Sequence, residues 1–278
     1  MWSSITDISK IALRQWKPIV IIYSVQLLLG IVLSFFAYQS FSDAIGNSLE
    51  LDRLALGFNR SVFSDMINTV PDLIASIRKP FILLLLLYLL ASIFLQAGLL
   101  GNIKKDKYSI SDFFTNGKSY FFSFICIALI SIFKVLVSLA LIWFSFFKLI
   151  GDPLETFHSE KPFILTVLGL IVFSALLISV IWLWSILSRY QKMEGNTLYF
   201  SMKQGWRILK SRLFHYLSIA LLFLGLQVFL TWMYTFIVDD WGASAWFYII
   251  SLLLIQQCFS FMRIYIRAAA YTSLSKLR

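Results

Sequence analysis

The composition of this 278-residue chain excludes a soluble globular domain, because 59% of the residues are hydrophobic and only 14% are charged. Soluble domains carry about a quarter charged residues. The formal net charge is +10, but the basic residues are spread over short segments between apolar runs. They form no folded basic module, which argues against a nucleic-acid partner.

Six apolar runs are each long enough to cross a membrane, since about 20 residues of helix match the ~30 Å hydrocarbon core of a bilayer. In chain order, the predicted spans cover residues 18–38, 80–101, 120–147, 162–187, 213–238 and 245–266. They take up more than half of the chain, so residues 1–278 are predicted to form a single integral membrane domain. The predicted fold class is all-α, a polytopic transmembrane helical bundle with additional amphipathic interfacial helices.

The charges between the spans predict the orientation of the chain. Lys and Arg concentrate in residues 1–17, in the segments 102–119 and 188–212, and near the C-terminus. The segments on the opposite side, which include the long outer loop 39–79, carry most of the acidic residues. Because Lys and Arg accumulate in short cytoplasmic loops, both termini are predicted to be cytoplasmic.

The third predicted span contains Lys134, although a lysine at the centre of a span costs about 2.5–3.5 kcal/mol on insertion scales. Every acidic residue lies in a predicted loop, so no span supplies a carboxylate partner. Three interpretations remain open. The ammonium group snorkels to an interface, it binds an anion in a basic cleft, or it pairs with a carboxylate of a partner subunit.

Polar side chains follow one face of three spans. The rows consist of Tyr88, Ser92 and Gln96 in the second span, Ser131, Lys134, Ser138 and Ser145 in the third, and Gln256, Ser260, Arg263 and Arg267 in the sixth. Such faces hydrogen-bond to one another across a bundle, or they line a positively charged cleft that opens to the cytoplasm. All of these residues except Tyr88, Ser92 and Ser145 are the candidate contacts for an anion, a lipid or a partner protein.

The loop after the third span contains Asp152, Glu155, His158 and Glu160. Glu-x-x-His is a spacing found in the carboxylate metal sites of helical bundles. In a short solvated loop without further ligands, however, it predicts a hydrophilic turn. Cys126 and Cys258 fall inside spans and predict neither a disulfide nor a zinc site. The sequence also lacks HExxH, GxSxG and phosphate-binding glycine motifs, so we predict no enzyme, cofactor or metal.

Residues 196–212 form a predicted basic amphipathic helix ahead of the fifth span. Its apolar stripe consists of Leu198, Met202, Trp206 and Leu209, and continues to Leu213 at the start of the fifth span. Its basic stripe consists of Lys203, Arg207 and Lys210. Helices of this kind lie along the anionic cytoplasmic leaflet, so the phospholipid membrane and its anionic headgroups are the predicted partners. Docking of a soluble protein is the alternative.

The stretch LQAGLLGNIKKDKYSISDFFTNGKSYFFSFICIALI joins a glycine-bearing span end to a short basic loop and a span-entry helix. Together with NTLYFSMKQGWRILKSRLFHYLSIALL, it resembles bacterial six-span inner-membrane proteins of unassigned function. That group includes the membrane domain found ahead of some glycerophosphodiester phosphodiesterases. The resemblance implies a multi-pass protein of the bacterial inner (cytoplasmic) membrane and an all-helical bundle. It supplies no catalytic residues, because the chain has no phosphodiesterase domain.

These observations favour a non-catalytic integral inner-membrane protein that acts as a scaffold or assembly subunit of a membrane complex, with a protein partner or as a homo-oligomer. The alternative is a transporter or lipid-handling protein that binds an anionic substrate in a basic cleft between the second, third and sixth spans. The scaffold is favoured because prolines stand at the starts of the first, second and fourth spans rather than within them, and the spans carry no acidic coupling residues.

Overall fold

The computed structural model describes residues 13–45, 72–105, 109–151, 160–239 and 246–276. Within these ranges the chain forms seven α-helices and no strand, which confirms the all-α prediction. The helices are α1 (Trp16–Ile45), α2 (Asp72–Lys105), α3 (Ile110–Ile150), α4 (Glu160–Lys192), α5 (Leu198–Ser211), α6 (Leu213–Asp239) and α7 (Trp246–Lys276).

Five of the helices are long and apolar enough to cross a membrane, which identifies a multi-pass membrane protein. The crossing stretches are Trp16–Gln39, Arg78–Lys105, Ile110–Leu149, Lys161–Lys192 and Leu213–Val238. They correspond to the first five predicted spans. The sixth predicted span lies in α7, a helix of 31 residues that is not among the five. Gln256, Gln257 and Arg263 interrupt the apolar run of α7, and its crossing stays a prediction.

The sequence predicted prolines at the starts of the first, second and fourth spans, and Pro80 is indeed the third residue of the crossing stretch Arg78–Lys105. Pro80 lies inside α2, which begins two turns earlier at Asp72. The predicted outer loop 39–79 is therefore helical at both described ends, because α1 also continues to Ile45. A proline within a helix removes one backbone hydrogen bond. This loss is tolerable here because Pro80 lies at the border of the apolar run, where water can satisfy the freed carbonyl group.

Buried side chains concentrate at one end of the bundle, which we call the core end. They lie near the starts of α1, α3 and α6 and near the ends of α2, α4 and α7; examples are Ile19, Leu100, Phe113, Leu187, Tyr216 and Leu274. Because these six helices contribute alternate ends, each of them runs antiparallel to the next of the six along the chain. In the predicted orientation, the core end lies on the cytoplasmic side.

The opposite ends of the same six helices form the open end, where large apolar side chains are exposed. Examples are Phe35, Leu83, Phe144, Leu165, Phe236 and Phe247. Around the bundle, α1 packs on α2, α2 on α3, α3 on α4, α4 on α6, α6 on α7, and α7 again on α1. The short helix α5 packs on α4. In a bilayer, lipid covers the exposed apolar surface of such helices.

Glycine permits the closest helix contacts. A Cβ atom on Gly98 would lie 2.6 Å from the backbone oxygen of Phe113, so α2 and α3 touch almost backbone to backbone. A Cβ atom on Gly205 would lie 2.5 Å from Oγ of Ser188, where α5 meets α4. Small residues allow this close approach of helices in membranes, and in α5 it sets the position of the helix beside the groove described next.

Candidate functional site

A groove of about 880 Å³ opens between α3, α4 and α5. Its lining residues are Ile130, Lys134 and Ser138 of α3, Phe173, Leu176, Leu177, Val180, Ile181 and Trp184 of α4, and Tyr199, Met202, Lys203 and Trp206 of α5. The walls are therefore mainly apolar and aromatic, with two lysines among them. We call it the basic groove.

The ammonium group of Lys134 lies on an aromatic ring. Its Nζ atom is 3.4 Å from the ring centroid of Trp184. Trp184 itself is only 2% exposed, and its indole N–H donates to the backbone oxygen of Met202 at 3.0 Å. The side chain of Lys134 is exposed to the groove. Among the residues that the structure describes, no carboxylate lies within ion-pair distance of it.

The docking of α5 decides which of its side chains reach the groove. Ser201, Gly205 and Leu209 are buried against the bundle, so the contact with α4 is made mainly by small residues. Of the predicted apolar stripe only Leu209 is buried, whereas Met202 and Trp206 line the groove. Of the predicted basic stripe, all three members are exposed and Lys203 lines the groove. The other two members, Arg207 and Lys210, are not among the lining residues.

A second polar arrangement connects α2, α4 and α7 at the core end. Nη1 of Arg189 donates to Oε1 of Gln96, and Nε2 of Gln96 donates to the hydroxyl oxygen of Tyr271 at 2.7 Å. The guanidinium group of Arg189 also lies 5.3 Å from the ring centroid of Phe124. Arg189 is 7% exposed, and its Nε atom has no hydrogen-bond partner. We call Arg189, Gln96 and Tyr271 the polar cluster.

The polar cluster borders a smaller cavity of about 90 Å³ between α1, α2 and α7. Its polar lining residues are Gln26, Tyr88, Ser92, Gln96, Arg267 and Tyr271. We call it the α1–α2–α7 cavity. It shares no lining residue with the basic groove, so the two are separate features of the molecule.

The predicted row residues therefore lie in three places rather than around one cleft. Gln96 and Arg267 come together at the α1–α2–α7 cavity. Lys134 and Ser138 line the basic groove. Arg263 lies at a shallow groove between α6 and α7, 5.7 Å from the ring of Phe259. The predicted single cleft does not form because α4, rather than α2 or α7, packs on the face of α3 that carries Lys134. The ring of Trp184 in α4 contacts the ammonium group of Lys134 there.

The remaining candidate residues of the predicted polar rows, Ser131, Gln256 and Ser260, line neither the basic groove nor the α1–α2–α7 cavity. Ser131 donates to the backbone oxygen of Ile127 in its own helix at 2.7 Å. Gln256 is exposed and Ser260 half-buried. The neighbouring Gln257, rather than Gln256, accepts a hydrogen bond from the hydroxyl group of Tyr23 at 2.7 Å. Of the metal-like loop, residues 152–159 fall outside the described residues.

Sequence reasoning missed Arg189, Trp184 and Tyr271. Arg189 stands near the end of a span, where a basic residue is expected from topology alone, so nothing marked it as buried. Trp184 belongs to the aromatic run WLW, in which each tryptophan has the same apparent role. Tyr271 follows three alanines near the C-terminus, and only the small size of those alanines hinted at close packing.

Comparison of the chain with protein-family models, with curated proteins and with solved structures gives no match. The resemblance to bacterial six-span proteins therefore stays a prediction, and the functional argument depends on the residues of this chain.

Proposed function

We propose that this protein handles lipid in the membrane: it binds an anionic amphiphile in the basic groove, with the acidic headgroup near Lys134 and Lys203 and the acyl chain along α3 and α4. Included in the proposal are a bacterial inner-membrane location, cytoplasmic termini and α7 as a sixth span. The observation that carries it is the environment of Lys134, an ammonium group on the apolar stretch Ile110–Leu149 with an aromatic face beside it and no carboxylate partner in the described part of the chain.

The energetics of Lys134 favour a bound anion. A cation–π contact contributes about 0.5–2 kcal/mol, whereas insertion of a lysine at the centre of a span costs about 2.5–3.5 kcal/mol. The ring of Trp184 therefore offsets only part of the cost. It also covers one side of the ammonium group, so N–H donors remain for the groove. Charge-assisted hydrogen bonds to phosphate oxygens would use these donors.

The shape of the basic groove fits an amphiphile better than a small polar solute. Its volume of about 880 Å³ lies within the usual ~300–1,000 Å³ of ligand sites. The walls contributed by α3 and α4 are largely apolar, while Lys203 stands on the surface helix α5. A surface helix with a basic stripe attracts the anionic lipids of the cytoplasmic leaflet, which brings headgroup and acyl chain to the matching parts of the groove.

Lipid retention by the full chain tests the proposal. The protein is purified in mild detergent from membranes that contain phosphatidylglycerol and phosphatidylethanolamine, and retained lipid is counted by native mass spectrometry. We expect Lys134→Leu to retain about tenfold less phosphatidylglycerol, a loss of ~1.4 kcal/mol, because a charge-assisted contact is removed. Lys134→Arg, which keeps the charge, is expected to retain most of it.

Lys148→Leu is the matched control, because Lys148 is an exposed lysine of the same helix that does not line the groove. It is expected to retain phosphatidylglycerol like the wild type. Equal retention by Lys134→Leu and the wild type would contradict the proposal. The scaffold function favoured by the sequence would gain support from a stoichiometric protein partner that co-purifies while no lipid is retained.

A further inference from the structure

We infer that the α1–α2–α7 cavity is a second anion site, separate from the basic groove, and that it takes one phosphate-type oxyanion. In this site Arg267 and the hydroxyl group of Tyr271 contact the anion directly. Arg189 acts through Gln96 as a positioning residue. The inference goes beyond lipid binding in the groove and depends on none of the groove residues.

The hydrogen bonds of the polar cluster run from Arg189 through Gln96 to the hydroxyl group of Tyr271, which lines the cavity. Arginine can only donate, so the atom of Gln96 that faces Arg189 must be its oxygen, and the amide nitrogen must face Tyr271. The hydroxyl oxygen of Tyr271 is thus an acceptor for Gln96. Its own proton has no acceptor among the residues that the structure describes. Tyr271 lines the cavity, where this proton is available to a ligand.

The other polar groups that line the cavity also have more hydrogen-bond donors than the protein acceptors around them use. Gln26 donates from Nε2 to the hydroxyl oxygen of Tyr88 at 3.5 Å, so that the hydroxyl proton of Tyr88 stays available as well. Ser92 is already used by the backbone oxygen of Leu89. Arg267 adds a guanidinium group to the lining and makes no hydrogen bond or ion pair within the described part of the chain.

Two positive charges without a carboxylate partner in the described part of the chain also favour an anion in the α1–α2–α7 cavity. Arg189 and Arg267 bring two guanidinium groups to the polar cluster and the cavity, and no carboxylate in ranges 13–45, 72–105, 109–151, 160–239 or 246–276 pairs with either. Arg189 is more than nine-tenths buried and has an unpartnered Nε atom. A buried charge without a counter-ion is costly, and an anion beside Arg267 and Tyr271 would reduce that cost.

The volume limits the size of the ligand. One water needs about 10–15 Å³ by this measure, so a cavity of about 90 Å³ holds several waters or one small oxyanion. A complete lipid headgroup with its glycerol does not fit. Two sources share the required chemistry: free inorganic phosphate, and the terminal phosphate of a lipid such as phosphatidic acid.

Thermal unfolding of the full chain in nanodiscs tests the site. In phosphatidylcholine nanodiscs, inorganic phosphate at millimolar concentration is expected to raise Tm by several degrees over sodium chloride of equal ionic strength. Alternatively, phosphatidic acid in the nanodisc produces the shift without free phosphate, which identifies lipid as the source. The absence of a shift from both probes in the wild type would overturn the inference.

Two variants connect the shift to the cavity. Arg267→Gln is expected to abolish it, whereas Arg263→Gln, one helical turn earlier and outside the cavity, is expected to keep it. Tyr271→Phe removes only the hydroxyl group and is expected to weaken phosphate binding about tenfold, and this variant decides the matter should Arg267→Gln fail to fold. A full shift in both Arg267→Gln and Tyr271→Phe would overturn the assignment. Lipid retention through Lys134 is an independent readout, so either site can fail alone.

Discussion

Trp184 is the residue on which the basic groove depends most. Its ring belongs to α4, faces the ammonium group of Lys134 in α3, and bonds through its N–H to the backbone of Met202 in α5. The side chain of Trp184 thus fixes the position of both the ammonium group of Lys134 and the short helix α5. Tryptophan provides both contacts because it combines the most electron-rich aromatic face with a hydrogen-bond donor.

Trp184→Phe is expected to lower the free energy of unfolding by about 1–3 kcal/mol, because the bond to Met202 is lost, the cation–π contact weakens and a small void forms. Denaturant titration in detergent micelles measures the change. Trp232→Phe serves as control, since Trp232 is 62% exposed on α6; a change within about 0.5 kcal/mol is expected there. Similar losses in both variants would contradict the role given to Trp184.

At the scale of elements, the seam between α2 and α3 is a close helix contact that both glycines and polar side chains support. Gly98 and Gly101 of α2 face Phe113 and Asn116 of α3. Asn116 donates to Oδ1 of Asn102 at 3.2 Å. Buried amide hydrogen bonds of this kind fix which turns of the two helices face each other.

Gly98→Ala is expected to destabilise the protein by about 1–3 kcal/mol, because its Cβ would strike the backbone oxygen of Phe113, which cannot move aside like a side chain. Thermal unfolding in detergent measures the effect. Gly30→Ala is the matched control: nothing lies within 4 Å of its Cβ, and the better helix propensity of alanine is worth up to about 1 kcal/mol. A Gly98→Ala protein as stable as Gly30→Ala would refute the close contact.

These glycines also show what the sequence could and could not predict. Composition alone predicts the helices, because a bilayer demands long apolar runs. It cannot separate Gly30 from Gly98, since both interrupt similar runs. In membrane helices the lipid-facing and the packed sides are equally apolar, so the sequence could group Lys134 with Ser138 by their spacing but could not identify α4 as the helix that faces them.

At the scale of the whole molecule, the core end and the predicted cytoplasmic side coincide. The buried positions alternate between helix starts and helix ends through α7, so α7 takes up the antiparallel order of the five apolar helices. This order supports the proposal that α7 also crosses the membrane. If α7 crosses the membrane in this order, the C-terminal end of α7 and the short helix α5 lie on the same side of the membrane, at the core end of the bundle.

Cysteine labelling in intact cells tests this threading, after replacement of Cys126 and Cys258 by serine. A membrane-impermeant maleimide is expected to react with a cysteine at position 78 from outside, because Arg78 is an exposed residue at the predicted outer border of the crossing stretch Arg78–Lys105. Cysteines at positions 210 and 276 are expected to react only after permeabilisation. Labelling of position 210 but not position 78 in intact cells would reverse the orientation, and opposite results at 210 and 276 would exclude α7 as a span.

The one-sided core has a mechanical consequence. In segments 28–39, 78–90, 135–149, 161–173 and 221–238 no described side chain is buried, so neighbouring helices pack less tightly there than at the core end. A change in bilayer thickness acts on the lipid-facing parts of membrane helices. We therefore expect it to alter the spacing of the helices more at the open end than at the core end.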